Sequence, residues 1–161
     1  MADTHTQLRS PAGLDLTPPS PEERKVIEAD LTQEERDVLL YQGTEAPFCG
    51  GLLNQKEAGT YNCRLCGLPL FVSEAKFESG TGWPSFFRPL DAKHVRSIED
   101  NSHGMRRIEM RCARCDSHQG HVFPDGPRPT GLRFCINSVS LSFTPMGQPL
   151  PDPMHRGDKL P

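Results

Sequence analysis

The 161-residue chain predicts a mainly β protein of two antiparallel sheets, tent-like or open-barrel-like, with short N-terminal helices and a structural zinc site. Three observations carry this expectation. From Tyr61 onward helix signals fade, and turn residues separate short runs in which apolar and polar side chains alternate. Four cysteines fall in two Cys-x-x-Cys knuckles, and two capping-box signatures precede the β region.

Taken in order, residues 1–19 are rich in Ser, Thr and Pro without periodicity and are expected to form a disordered tail. Ser20-Pro21-Glu22-Glu23 supplies an N-cap, a proline at the first helical position and a glutamate three residues after the cap, so a short helix should run to Ala29. Thr32-Gln33-Glu34-Glu35 repeats that spacing; Val38, Leu39 and Tyr41 offer apolar contacts, and Gly43 suits the position just past the helix. Among the strands, Ile108, Met110 and Cys112 alternate with Arg107, Glu109 and Arg111, and Val139, Leu141 and Phe143 alternate with Ser138, Ser140 and Ser142. One domain should span residues 20–144, followed by a Pro-rich tail over 145–161.

A formal charge of −3 gives no basic field to steer the chain to nucleic acid, and Glu109 interrupts the one locally basic stretch, Met105 to Arg111. No apolar run approaches the roughly 18 residues of a membrane span, and the N-terminus lacks the apolar core and cleavage site of a secretory signal. The expected compartment is the cytoplasm, where cysteines serve as metal ligands and catalytic thiols more often than as structural bridges.

Cys63-Arg64-Leu65-Cys66 and Cys112-Ala113-Arg114-Cys115 present paired thiolates suited to one tetrahedral Zn²⁺. The 45 residues between Cys66 and Cys112 exceed the spacing of an ordinary zinc ribbon, so the ion would tie two distant hairpins together. Four thiolates leave no open position for a substrate water, which makes the site structural. Two disulfides would need an oxidising compartment, and a redox Cys-x-x-Cys a βαβ setting.

Cys49 and Cys135 remain. In Leu132 to Asn137 the alternation sends Leu132, Phe134 and Ile136 toward a core and Arg133, Cys135 and Asn137 toward a cleft. Arg133 would favour a thiolate there and Asn137 would offer hydrogen bonds, which describes a reactive cysteine rather than an inert buried one. His118 and His121 lie in the dense segment Asp116 to Gly126; with the cysteines already closing a metal site, acid and base work suits them better than ligation. The sole tryptophan, Trp83, sits in the Gly/Pro-rich loop Ser79 to Phe87, where it could wall a pocket.

Four segments in order, Tyr61 to Phe71, Ser79 to Phe86, Ser117 to Gly126 and Arg133 to Ser138, resemble the B-type methionine sulfoxide reductases in their zinc-containing form. The resemblance spans roughly Tyr41 to Phe143. It implies two antiparallel sheets, reduction of methionine-R-sulfoxide to methionine, Cys135 as nucleophile, Trp83 as the wall holding the substrate methyl, and His118, His121, Asp125, Arg133 and Asn137 as the polar site. Many members carry a resolving cysteine between the glycines of the Ser-Gly-x-Gly-Trp segment, where this chain has Thr81. Cys49 is then the remaining candidate to close a disulfide with Cys135, with thioredoxin as reductant. The competing reading is a non-catalytic zinc-binding β interaction module; a disulfide oxidoreductase using the Cys-x-x-Cys pairs is a third.

Overall fold

A computed structural model describes residues 8–161. Among the described residues two α-helices come first, α1 (Pro21–Ala29) and α2 (Gln33–Leu39). Both start as the sequence requires: Ser20 and Thr32 accept from the backbone N–H of Glu23 and Glu35, whose carboxylates bond back to the cap N–H groups. Past α2 the left-handed residue is Gln42 (φ 61°), not Gly43, and Tyr41 is exposed rather than packed.

Nine strands follow: β1 (Gly59–Cys63), β2 (Pro69–Val72), β3 (Lys76–Phe77), β4 (Ser85–Phe86), β5 (Val95–Asp100), β6 (Arg107–Cys112), β7 (His118–Phe123), β8 (Arg133–Ile136) and β9 (Leu141–Pro145). They form two antiparallel sheets, ordered β2-β1-β9 and β3-β4-β8-β7-β6-β5. The expected mainly β, two-sheet fold is what the chain adopts. Aromatic rings fill the space between the sheets: Phe71 stacks on Phe86 with centroids 4.3 Å apart, Tyr61 meets Phe86 edge-on at 5.0 Å, and Phe134 lies 5.8 Å from Phe71.

Alternation misplaces several side chains. Ser138 and Ser140, expected on a wet face, are buried in a 3-10 turn, Ser138–Ser140, ahead of β9. Ser140 Oγ donates to the His118 carbonyl and Ser138 Oγ accepts from Leu52 N–H, so both hydroxyls are satisfied without water. In β6 a register shift between Met110 and Arg111 accompanies a buried Glu109 and a part-exposed Ile108. Leu132 precedes β8 and is 37% exposed.

The two expected tails are also corrected, residues 1–7 lying outside the described chain. Leu14 is 1% exposed and Ser10 Oγ meets buried His94 Nε2 at 2.7 Å. At the other end Met154 is buried, Arg156 pairs with Glu23 at 2.8 Å and bonds the Thr17 carbonyl, and Asp158 pairs with Arg114. Composition reads these segments as solvated; specific buried partners override it.

Candidate active site and metal cage

Each knuckle begins at the end of a strand, β1 or β6, and folds back into the next strand of its own sheet. The two turns are built alike. Gly67 N–H bonds the Cys63 carbonyl at 2.8 Å and Asp116 N–H bonds the Cys112 carbonyl at 2.9 Å, each from a left-handed residue (φ 84° and 65°). Glycine adopts that conformation freely; Asp116 is compensated by Arg96 and Arg111 on its carboxylate.

The four Sγ atoms, all buried, lie within 4.8 Å of one another, with approaches of 3.5 Å (Cys63 to Cys115) and 3.6 Å (Cys66 to Cys112). Tetrahedral Zn–S bonds of about 2.3 Å imply sulfur separations of about 3.8 Å. The donor set therefore fits such an ion and joins one sheet to the other. Ser117 Oγ lies 3.3 Å from Cys63 Sγ and 3.1 Å from Cys115 Sγ, Gln119 Nε2 donates to Cys63, and Arg114 Nε donates to Cys66 at 3.4 Å. Burial opposes ionisation of the whole set, yet hydrogen bonds from the neighbouring thiols and Ser117 bring Cys63 well below the ordinary thiol range. Arg114 is fully buried, and besides the Asp158 carboxylate it bonds the carbonyls of Cys66 and Asp15.

The second site lies on the six-stranded sheet. Register pairs Ser85 with Cys135, Cys135 with His121 and His121 with Glu109, and directly opposed residues share a face, so these four form one row across β4, β8, β7 and β6. Phe86, Phe134 and Val122 form the adjacent row, on the other face. Cys135 is half-buried. Burial pushes its thiol up; the Arg133 charge and a hydrogen bond with Thr81 pull it down without overcoming burial. Arg133 therefore acts in the expected direction, but the resting thiol is not acidified.

Arg133 itself is spoken for. Asp125 holds its guanidinium through two bonds of 2.9 and 3.1 Å, and Phe123 lies beneath it at 4.5 Å. Asn137, expected on the cleft face, is buried past the end of β8. Its Nδ2 donates to the Gln119 carbonyl and its Oδ1 accepts from Glu45 N–H, which leaves the amide joining β7 to the loop ahead of Cys49.

Each histidine is held by a carboxylate. His118 Nδ1–H donates to Glu109 at 2.7 Å, its Nε2 is buried without a partner, and burial pushes its pKa down, so the ring is neutral with a free lone pair. His121 Nε2 meets Asp100 at 2.8 Å, and bonds from Ser102 and His121 hold that carboxyl well below its usual range. The rings are 5.6 Å apart.

Trp83 is half-buried, its indole N–H donating to the Glu45 carbonyl at 3.0 Å. Cys49 is exposed on the loop following Glu45. Glu45, Glu109 and Asp100 are the site residues that sequence reasoning missed. Glu45 carries no motif signal; Glu109 was legible only as a charge interrupting a basic stretch.

Fold and site together define a two-sheet β protein with a buried four-cysteine cluster suited to a metal ion, presenting a half-buried thiol beside a histidine pair and an aromatic loop. The SelR domain model matches residues 31–145. The chain is 69% identical over 157 residues to the peptide methionine sulfoxide reductase MsrB of Caulobacter vibrioides (strain NA1000 / CB15N), covering 98% of this chain and 99% of that one. It is 63% identical over 144 residues to the same-named protein of Xylella fastidiosa (strain M23), covering 89% and 93%. The chain belongs to the SelR family, the B-type methionine sulfoxide reductases. Among the described residues no helix is long and apolar enough to cross a membrane.

Proposed function

We propose that the protein reduces methionine-R-sulfoxide, in proteins and as the free amino acid, by thiol chemistry at Cys135. The observation carrying this reading is the Ser85–Cys135–His121–Glu109 row, with Thr81 and Trp83 on the adjoining loop. The Cys135 thiol gives up its proton as it attacks, and His118 and His121, directly or through a water, are the residues to which we assign the acid and base work. Sulfur then takes the sulfoxide oxygen: Cys–SH plus sulfoxide gives Cys–SOH plus methionine, the sulfoxide oxygen being protonated as its bond to sulfur breaks. We assign delivery of that proton to His121, a reading supported by its position opposite Cys135 in the register and by its bond to Asp100. Trp83 contacts the substrate methyl, and the clamp of Asp125 on Arg133 fixes a positive charge beside the reacting sulfur.

The sulfenic acid then condenses with Cys49, releasing water and forming a Cys49–Cys135 disulfide, and a thioredoxin-type dithiol reduces it by exchange. Thr81, in contact with Cys135, stands where a resolving thiol would otherwise be, so resolution falls to the exposed Cys49. Zn²⁺ is the ion we assign to Cys63, Cys66, Cys112 and Cys115, as a brace between sheets. Four thiolates free to bind metal point to a reducing, cytoplasmic setting.

The test supplies both epimers of blocked methionine sulfoxide with dithiothreitol. Methionine should form from the R epimer alone; equal use of both, or of neither, refutes the reading.

A further inference from the structure

Phe48 is 68% exposed and sits at φ 63°, a left-handed conformation that an aromatic residue rarely adopts. Its backbone is held there: Phe48 N–H donates to the Gly82 carbonyl at 2.8 Å. Its ring packs close to Gly82, where an added Cβ would fall 2.9 Å from two ring carbons and 2.7 Å from Pro47 Cβ. Gly82 (φ 93°) thus permits both its own turn and the approach of the ring. One residue on, Trp83 bonds back to the Glu45 carbonyl. Two hydrogen bonds therefore zip residues 45–48 to residues 82–83, holding Phe48 on the same loop pair as the proposed substrate wall. The ring is left largely in solvent, although the hydrophobic effect would favour covering it.

We propose that Phe48 is a specificity-determining residue, its exposed ring packing on an apolar residue beside the sulfoxide in a peptide substrate. The inference rests on the reductase reading of Cys135 and deepens it by naming a residue of this chain that would read the residue flanking the sulfoxide.

The experiment compares kcat/KM for a blocked pentapeptide with leucine on both sides of the R-sulfoxide against free methionine-R-sulfoxide, using dithiothreitol so that resolution by Cys49 does not limit turnover. The peptide-to-free ratio should fall about tenfold in Phe48→Ala, the scale of one lost aromatic contact, and return in Phe48→Tyr. Phe48→Gly, which relieves the backbone conformation while removing the ring, should match Phe48→Ala. A ratio unmoved in Phe48→Ala, or restored in Phe48→Gly, overturns the proposal. Wild-type protein inactive on both substrates refutes the reductase reading itself, whereas an active enzyme with an unmoved ratio refutes only the role of Phe48.

Discussion

Cys63, Cys66, Cys112 and Cys115 are fully buried, each within reach of other thiols, and hydroxyl, amide or guanidinium donors face Cys63, Cys66 and Cys115. Cys135 is half-buried with one hydroxyl and one clamped guanidinium nearby, and Cys49 stands in solvent. The same side chain thus occurs in two settings, and what separates them is the number of converging sulfurs and the access of a reactant. On the proposed reading, the first setting suits a metal and the second a substrate.

The largest effect should come from exchanging the roles. Cys135→Ser is expected to cost at least about a thousandfold in reductase activity while zinc content and far-UV dichroism stay as in wild type. Cys112→Ser should do the reverse, losing metal by elemental analysis and much of the cooperative thermal transition. A Cys135→Ser protein without zinc would collapse the distinction between the two regions.

Next in size is Cys49→Ser. It should release one methionine per enzyme in a single turnover and keep dithiothreitol-driven cycling, while its thioredoxin-driven rate drops at least about tenfold. Mass spectrometry of wild type after one equivalent of substrate should find a Cys49–Cys135 crosslink, and undiminished thioredoxin turnover in the variant would remove Cys49 from the cycle. Within the cage, Ser117→Ala removes the hydroxyl shared by Cys63 and Cys115 and should weaken zinc binding by about tenfold in chelator competition, with activity at saturating zinc retained.

The smallest effect, that of Arg133→Met, is read against pH. Because burial raises the Cys135 thiol above its ordinary value, thiolate is scarce at neutrality, and Cys135 alkylation by iodoacetamide should climb about tenfold per pH unit from pH 7 to 8.5. Arg133→Met, which removes the opposing charge, should move that rise to higher pH and slow the neutral reaction a few-fold. A profile already flat at pH 7 would show an acidified thiol.

The cage and the helices were legible because their signals are local: spacing fixes the knuckles, and caps fix Ser20 and Thr32. The two-sheet fold was legible from alternation, and the core positions of Phe134 and Ile136 followed the same rule. Asn137 and the serines of the following turn were misread because alternation carries no information about where a strand ends. The partners of His118 and His121 were invisible for a different reason. Glu109 arrives from the adjacent strand β6 and Asp100 from β5, one strand further out, through register, which a single sequence does not specify. The ends were misjudged because their order depends on individual ion pairs rather than composition.

That ordering at the ends has a bearing on how the chain survives a cut. Arg114 receives the Asp15 carbonyl and the Asp158 carboxylate on one guanidinium that also donates to a cage sulfur. A protease nick between residues 145 and 157 would free the counter-ion and leave a buried cation with the sulfurs as its remaining anionic company, a change of the kind that costs about 3–5 kcal/mol. The last residues thus act as a buckle on the metal cage, and a fragment trimmed to 20–144 would be an unfastened belt rather than the minimal enzyme.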